Sequence, residues 1–293
     1  MQTLKEAIQW AAENKVAIGH FNISDTSSLK AIFAAAQSLS TDQRKIPVII
    51  GVSEGEREFI DTREAAAMVR ALREEFDFPI FINADHTHSL EKIKEAVEAG
   101  FDAVLFDAGK LPLAENIKTT KEVVDYVRST NPNILIEGEL GYIGTSSEVF
   151  DALPEGAAIT ENDITKPEEA KEFAESTGVD LIAPAVGNIH GMFANAPSPH
   201  LFIDRVAAIK QAAGLPMVLH GGSGTPDEDF IKAIDAGVNI VHINTEIRRA
   251  WRKGVEAGLT NHPKDVAPYK LLADAVKEVQ TVVTARLKLF NKL

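Results

Sequence analysis

Eight short apolar runs recur along the chain, and most are followed by a stretch with helical periodicity. The runs are Ala17–Ile23, Pro47–Ser53, Pro79–Asp85, Ala103–Ala108, Asn133–Leu140, Leu181–Val186, Met217–Gly222 and Asn239–Asn244. They are largely apolar throughout and do not alternate with polar residues, which is typical of strands buried on both faces of a parallel sheet. The pattern therefore predicts eight parallel strands.

Amphipathic helices are predicted between these strands. They include Ser89–Ala99, Ala114–Arg128, Pro167–Ser176, Leu201–Ala212 and Asp227–Ala236. Several stretches end in Ala-Gly just before the next strand, at Gly100, Gly214 and Gly237, which is typical of a glycine cap at a helix C-terminus. Eight βα units in a chain of this length predict an α/β protein with a closed (β/α)8 TIM barrel. We expect one catalytic domain over residues 1–293, with extra helices at the C-terminal end.

An open, doubly wound sheet is the competing architecture. It is disfavoured because no GxGxxG motif follows the first strand and because eight units close more naturally than they stay open.

Composition and charge narrow the class of protein. The 293 residues contain no cysteine, which excludes disulfides, thiolate metal sites and a thiol nucleophile. The net charge of −13 without a basic stripe argues against a nucleic-acid partner. Apolar runs are too short to span a membrane, and the amphipathic N-terminus lacks the features of a signal peptide. We expect a soluble cytoplasmic protein with neither a nucleic-acid nor a membrane partner.

Polar side chains lie at or just beyond the ends of the predicted strands, where TIM barrels carry their active sites. These residues are His20, Asn22, Ser53, Asp85, His86, Asp107, Glu137, Glu139, His190, His220, His242 and Asn244. Four of the eight histidines in the chain follow strands three, six, seven and eight. This sorting predicts a single site at the carboxyl end of the barrel.

Three of those histidines, His86, His190 and His220, suit a catalytic zinc ion that keeps one position open for substrate. Taken singly, each is more often a hydrogen-bonded structural residue, and only the set favours metal ligation. His242 could join the metal, although a structural role is the simpler interpretation. Asp85 precedes His86 directly and suits a general acid/base. The alternative, that Asp85 caps the next helix, is disfavoured because Ser89 is the better cap.

Carboxylates and possible phosphate-binding groups surround this set. Glu137 and Glu139 project to the same side of one strand and, with Asp107, require a cation, an arginine or a shifted pKa, or serve to orient a zinc-bound histidine. An ordinary solvated pair conflicts with the apolar flanks of that strand. The glycine-rich turn after His220 precedes a helix N-terminus and suits a phosphate. Arg248 suits a second phosphate or, equally, a surface ion pair with Glu246 or Asp227.

The motifs Asn83-Ala-Asp-His86, Glu137-Gly-Glu-Leu-Gly141, Gly187-Asn-Ile-His-Gly191 and His220-Gly-Gly-Ser-Gly224 resemble those of the class II, zinc-dependent fructose-bisphosphate and tagatose-bisphosphate aldolases. The resemblance covers almost the whole chain. It implies reversible retro-aldol cleavage of fructose 1,6-bisphosphate to dihydroxyacetone phosphate and glyceraldehyde 3-phosphate. The partners it implies are a ketose bisphosphate, triose phosphates and further copies of the chain in a homodimer or homotetramer.

Site residues follow from this resemblance, position by position. It implies Asp85 as acid/base, one catalytic Zn²⁺ on His86, His190 and His220, and a second divalent or monovalent cation position at Asp107 and Glu139. Glu148 lies about one position from the acidic loop residue that exchanges a proton at C3. The implied substrate contacts are Asn22, Ser53, Gly191, Gly221, Ser223, His242, Asn244, Thr245 and Arg248, of which Arg248 contacts the phosphate distant from C1.

Departures from the family pattern leave alternatives open. The family usually has Asn at the position of His242 and Asp or Ala at that of Asn244, and these positions help to distinguish fructose from tagatose bisphosphate. A lysine usual soon after the third motif is absent. Tagatose 1,6-bisphosphate aldolase is therefore the alternative substrate assignment. Two other functions remain as alternatives to an aldolase: a metal-dependent hydrolase and a non-catalytic barrel that binds sugar phosphates.

Overall fold

Ten strands are present in a computed structural model that describes residues 2–143, 148–150, 160–161, 163–195 and 198–293. Numbered along the chain, they are β1 (Ile18–Asn22), β2 (Val48–Val52), β3 (Ile80–Thr87), β4 (Ala103–Phe106), β5 (Leu135–Leu140), β6 (Val149–Phe150), β7 (Leu181–Pro184), β8 (Met192–Phe193), β9 (Met217–Leu219) and β10 (Val238–Ile243). Strands β6 and β8 form a separate two-stranded parallel sheet.

The other eight strands form a closed parallel barrel in the order β1-β10-β9-β7-β5-β4-β3-β2. Each of the eight predicted strands overlaps one of them, so the predicted (β/α)8 barrel is confirmed. The main difference is at the strand ends: β9 stops at Leu219 and β7 at Pro184. The predicted runs extend further, to Val186 and Gly222, because Ala185 and Val186 continue the apolar pattern and buried His220 still points into the barrel.

Twelve helices lie among the described residues. They are α1 (Leu4–Glu13), α2 (Thr26–Leu39), α3 (Glu54–Ile60), α4 (Thr62–Phe76), α5 (Leu90–Ala99), α6 (Leu113–Thr130), α7 (Pro167–Thr177), α8 (Ile203–Ala213), α9 (Asp227–Ala236), α10 (Thr245–Asn261), α11 (Pro268–Leu271) and α12 (Ala273–Asn291). The predicted helices and the glycine C-caps of α5, α8 and α9 are observed. Helix α12 packs on α10 and α2 through a buried apolar face, so the extra C-terminal helices become part of the outer ring. No helix in the described ranges is long and apolar enough to cross a membrane.

An apolar floor closes the amino end of the barrel. Buried residues of α1, including Leu4 and Ile8, pack in one cluster with residues from the barrel strands. Those strand residues are Ile18, Ile49, Phe81, Ala103, Leu135, Leu181, Ala183, Val218 and Ile240. Side chains two positions apart along a strand face the same side. Residues two and four positions beyond a floor residue therefore also point into the barrel.

Truncation of a floor residue tests this arrangement. Phe81 is 1% exposed, and Phe81→Ala is expected to lower the free energy of unfolding by about 3–5 kcal/mol, because the ring leaves a cavity that the barrel cannot close. The measurement is urea unfolding followed by circular dichroism. Phe59 is 79% exposed and serves as the matched control, since Phe59→Ala is expected to change stability by less than about 0.5 kcal/mol. Equal losses in the two variants would contradict the assignment of the floor.

Candidate active site

Two polar layers stand above the apolar floor. Two positions beyond the floor residues lie His20, Asn83, Glu137, His220 and His242, all of them buried. Two positions further along the strand direction lie Asn22, Ser53, Asp85, Asp107, Glu139 and Asn244. The strand period of two thus places both layers at the carboxyl end of one barrel.

Three imidazoles converge at this end of the barrel. The ring centroid of His86, at the end of β3, lies 4.7 Å from that of His190 and 4.9 Å from that of His220. His190 belongs to the segment between β7 and β8, and His220 follows β9 directly. One ligand atom from each residue lies within 4.8 Å of the other two. Nε2 of His190 and Nδ1 of His220 are buried without a hydrogen-bond partner. Free ring nitrogens at this spacing fit a divalent metal ion.

Carboxylates orient two of the rings. Nδ1 of His86 lies 2.9 Å from Oδ2 of Asp107 and 3.6 Å from Oε2 of Glu139. Nε2 of His220 lies 2.7 Å from Oε1 of Glu137. Glu137 and Glu139 are 1% and 3% exposed, so the interpretation of an ordinary solvated pair is wrong. A carboxylate on the second ring nitrogen is the usual companion of a metal-bound histidine.

Burial and charge set the protonation of this group. Burial lowers the pKa of His190 and of His220 to about 3, which keeps both rings in the neutral form that ligates metals. Burial also lowers the pKa of His86, but Asp85, Asp107 and Glu139 outweigh it and raise that pKa to about 10. Burial raises the pKa of Glu137 and of Glu139 to about 8. The carboxylates that stabilise the positive charge of a protonated His86 would also stabilise the charge of a metal ion bound to the neutral ring.

Backbone strain accompanies His86. Its φ is +35°, and the register of β3 against β4 shifts between Ala84 and Thr87. Arg57 on α3 is 3% exposed and donates to the carbonyl oxygens of Val52 and Asp85 and to the hydroxyl of Thr87. A buried guanidinium therefore holds the chain on both sides of the strained residue. Strain of this kind persists only where the surroundings enforce it, and it is common at functional sites.

Asp85 accepts one side-chain hydrogen bond and lies beside a second imidazole. Its Oδ2 accepts a hydrogen bond of 2.9 Å from Nδ2 of Asn22, and its Oδ1 lies 3.5 Å from Nδ1 of His242. Burial raises the pKa of Asp85, but His86 and His242 outweigh this effect and hold the pKa well below its usual range. The side chain does not cap α5, because Ser89 does so by accepting from the N–H of Lys92. Asp85 is thus a buried, ionised carboxylate beside the three imidazoles.

The ring of His242 stacks on the ring of His20. The two rings lie 3.4 Å apart with planes 4° from parallel. Ligated metals lie near the plane of an imidazole at about 2.0–2.1 Å from nitrogen, so two such stacked rings cannot bind one ion in this arrangement. His20 occupies space that only a glycine leaves free, since a Cβ on Gly51 would lie 2.1 Å from its Cε1 atom. His20 was recognised in the sequence as a strand-end residue, but this stacking was not predicted.

The glycine-rich turn after His220 faces the site, but the helix N-terminus beside it is that of α10 and not that of α9, the next helix in sequence. Gly221 has φ +61°, and a Cβ there would lie 2.3 Å from the carbonyl oxygen of Ile189. Helix α9 carries three acidic residues in its first turn, which disfavours an anion at its N-terminus. Helix α10 begins instead beside the turn, because the N–H of Glu246 donates to Oγ of Ser223. The phosphate position that the sequence indicates thus adjoins the N-terminus of α10.

Arg248 pairs with a residue that sequence reasoning missed. Its Nη2 lies 2.8 Å from Oε1 of Glu56, which is 5% exposed. The predicted alternative partners, Glu246 and Asp227, are both bound by Arg286. Glu56 also accepts from Asn22 and from the N–H of Ser53. Glu56 stands in the first turn of α3 as the N3 residue of a capping box, a position that carries no sequence signal of this role.

A cavity of about 210 Å³ unites these residues. It is lined by all the predicted site residues except His20, Glu137 and Glu139, which are buried, and Glu148, which is exposed. The main chain of Glu148 accepts from the N–H of Met192, beside the β6–β8 pair. His88 lines the cavity as well and was missed. Its position two residues beyond His86 could have identified it.

Sequence and structure comparisons identify proteins that are similar to this chain over nearly its whole length. A sequence profile described as "Fructose-bisphosphate aldolase class-II" matches residues 2–293. The chain is 33% identical to a fructose-bisphosphate aldolase of Geobacillus stearothermophilus and 35% identical to one of Staphylococcus aureus strain Mu50. Each match covers 99% of this chain and 96% of the relative. The structure resembles that of the YdjI aldolase from Escherichia coli K12, with a TM-score of 0.80 and 28% identity, over 98% of this chain and 96% of that one.

Removal of the carboxylate behind His220 tests the candidate metal centre. Glu137→Gln keeps the shape of the side chain but can no longer become a carboxylate when a metal binds, so it is expected to weaken Zn²⁺ affinity by about 10- to 100-fold. The measurement is competition with a chromophoric chelator. Glu172→Gln, an exposed change on α7, is the matched control and is expected to leave the affinity unchanged. Identical Zn²⁺ affinities in both variants would argue that Glu137 has no part in metal binding.

Proposed function

The chain belongs to the class II fructose-bisphosphate aldolase family, and from this membership we propose that its substrate is fructose 1,6-bisphosphate. The protein is an aldolase and therefore a lyase. The reaction that we propose yields dihydroxyacetone phosphate and glyceraldehyde 3-phosphate and runs in both directions. The observation that carries the proposal is the convergence of three imidazoles beside the buried carboxylate of Asp85.

His86, His190 and His220 are the proposed ligands of one catalytic Zn²⁺. The free nitrogens and neutral rings of His190 and His220, and the carboxylates beside His86, fit such an ion. When bound, the ion supplies Lewis-acid stabilisation for negative charge that develops on substrate oxygens. Asp107 and Glu139 form a second group with His86 whose ligand atoms lie within 4.8 Å of one another. This group is the proposed position for a second divalent or monovalent cation.

Asp85 is the proposed acid/base. In cleavage, its carboxylate takes the proton of the C4 hydroxyl while the C3–C4 bond breaks and C4 becomes an aldehyde carbonyl. The bonding electrons pass to the C3 side as an enediolate, which then gains a proton at C3. The hydrogen bond from Asn22 restricts the rotation of the carboxylate before substrate arrives, and Nδ1 of His242 lies 3.5 Å from its other oxygen. The proton donor at C3 is proposed to be Glu148, which adjoins the β6–β8 pair.

Two phosphate contacts complete the proposal. The C1 phosphate is assigned to Gly191, Gly221, Ser223, Asn244 and Thr245, all of which line the cavity. Support comes from the backbone N–H groups and the positive end of α10, which attract an anion. The second phosphate is assigned to Arg248, with Asn22, Ser53 and His242 contacting the sugar between the two ends.

Tagatose 1,6-bisphosphate is the second candidate substrate, because it differs only at C4, the carbon on which Asp85 acts. His242 lies beside Asp85 and stacks on His20, so the environment of that carbon is unusual for the family. We propose further that the chain forms one catalytic domain over residues 1–293. We also propose that it works in the cytoplasm as a homodimer or homotetramer, with no nucleic-acid or membrane partner.

An assay with defined sugars tests the reaction. Protein loaded with Zn²⁺ is expected to release triose phosphates from fructose 1,6-bisphosphate, more slowly from the tagatose epimer, and from neither after treatment with a chelator. The measurement is coupled oxidation or reduction of the triose phosphates. Release of inorganic phosphate alone would indicate a hydrolase, and tight sugar binding without cleavage would indicate a non-catalytic binding protein. Either result would end the proposal.

Replacement of the acid/base separates its role from that of the metal ligands. Asp85→Ala is expected to lower kcat by about 10²- to 10⁴-fold, because proton transfer from the C4 hydroxyl then lacks its acceptor. Zinc content, measured by atomic absorption, is expected to stay near one ion per chain because the three imidazoles remain. The exposed Asp125 on α6 provides the control, and Asp125→Ala is expected to keep full activity. An active Asp85→Ala enzyme would remove Asp85 from the mechanism.

A further inference from the structure

Glu56 is a buried carboxylate that meets three donors from three parts of the barrel rim. Its Oε2 accepts from Nδ2 of Asn22 and from the N–H of Ser53, each at 2.8 Å. Its Oε1 accepts from Nη2 of Arg248 at 2.8 Å. The side chain of Glu56 is 6% exposed, whereas that of Arg248 is 47% exposed. Glu56 therefore lies behind the cavity and acts through residues that line it.

The charge of Arg248 is already balanced before any substrate binds. Arg248 is the one lysine or arginine among the residues that line the cavity in the described part of the chain. A sugar phosphate group carries about −1.5 to −2 charges near neutral pH. Arg248 alone would offer such a group a charge-assisted, forked contact. Because Glu56 occupies one nitrogen of Arg248, a phosphate at this end meets an ion pair without net charge. The negative charge of Glu56 also lies close behind the guanidinium and repels the phosphate.

We propose that Glu56 is a specificity-determining residue that weakens the contribution of the phosphate distant from C1. The protein then cleaves ketose 1-phosphates, whose distal end carries only hydroxyl groups, alongside ketose 1,6-bisphosphates. The chemical step is unchanged: the C3–C4 bond breaks, the proton of the C4 hydroxyl passes to Asp85, and an unphosphorylated aldehyde leaves. This inference rests on the proposed function, since it assigns Arg248 to the distal end of the sugar.

Glu56→Gln isolates the charge from the shape of the side chain. The amide oxygen of glutamine can still accept from Asn22 and Ser53, so the hydrogen bond of Asn22 to Asp85 is expected to survive. The amide nitrogen would then face the guanidinium of Arg248, and two donors cannot bond. Arg248 is thereby freed for a phosphate. The variant should gain activity towards one substrate class, which loss of structure would not produce.

The experiment compares kcat/KM for fructose 1,6-bisphosphate and fructose 1-phosphate in the zinc-loaded protein. Glu56→Gln is expected to raise the ratio of bisphosphate to monophosphate by about tenfold, the effect of one charge-assisted contact, mainly through a lower KM for the bisphosphate. Glu58→Gln removes the same charge from an exposed position of α3 and is expected to leave the ratio unchanged. A ratio that rises less than threefold in Glu56→Gln, or a natural protein inactive on fructose 1-phosphate while it cleaves the bisphosphate, overturns the inference.

Two further measurements keep the inference testable if Glu56→Gln fails to fold or if turnover is absent. Replacement of both members of the pair, Glu56→Gln together with Arg248→Met, exchanges a neutral pair for neutral side chains and is expected to lower kcat/KM for the bisphosphate by less than about tenfold; a larger loss overturns the inference. Dissociation constants of both sugars, measured by calorimetry in an Asp85→Asn background, report the same ratio without catalysis. Absence of cleavage of either sugar by the natural protein would refute the proposed function, whereas the binding ratio alone would decide the role of Glu56.

Discussion

Burial of ionisable groups at one end of an apolar barrel is the constraint on which the rest of the site depends. Glu137 and Glu139 are almost fully buried, and so are His220 and Asp85. Each charge taken out of water must be neutralised, paired or balanced by a cation. The barrel meets this requirement by pairing acids with imidazoles: Asp107 and Glu139 lie beside His86, Glu137 beside His220, and Asp85 beside His242. A divalent cation at the three free imidazole positions would complete the balance.

The same requirement explains why so much supporting structure surrounds a few reactive groups. A strained His86 stays in place because the buried guanidinium of Arg57 bonds the chain on both sides of it. Its ring is fixed by Asp107, and the ring of His220 is fixed by Glu137. Metal sites depend on such outer partners as much as on the ligands themselves. Many of the polar residues at the strand ends therefore serve to hold the metal-binding side chains in position.

Sequence could predict the barrel and most of the cavity because both follow from local periodicity. Continuous apolar runs indicated the strands, and polar residues at their ends indicated the site. The roles of Glu56 and Arg57 could not be predicted in this way, since α3 reads as an ordinary surface helix and its partners, Asn22 and Arg248, are distant along the chain. Tertiary pairing decides such cases, and no period in the sequence encodes it. Asp227 shows the opposite case: the sequence suggested an ion pair between Asp227 and Arg248, but Asp227 pairs with Arg286.

Gly51 shows how a remote backbone position can bear on the reactive carboxylate. The absence of a Cβ there leaves room for the ring of His20, whose Nε2 lies 3.3 Å from Nδ2 of Asn83. Burial lowers the pKa of His20 to about 4, so a neutral ring stacks on His242 and adds no positive charge beside it. His242 can then present an Nδ1 hydrogen to Asp85 while remaining neutral itself. The negative charge of Asp85 is thus stabilised by dipoles and by His86, so the side chain stays ionised, the form that a proton acceptor must have before the substrate hydroxyl arrives.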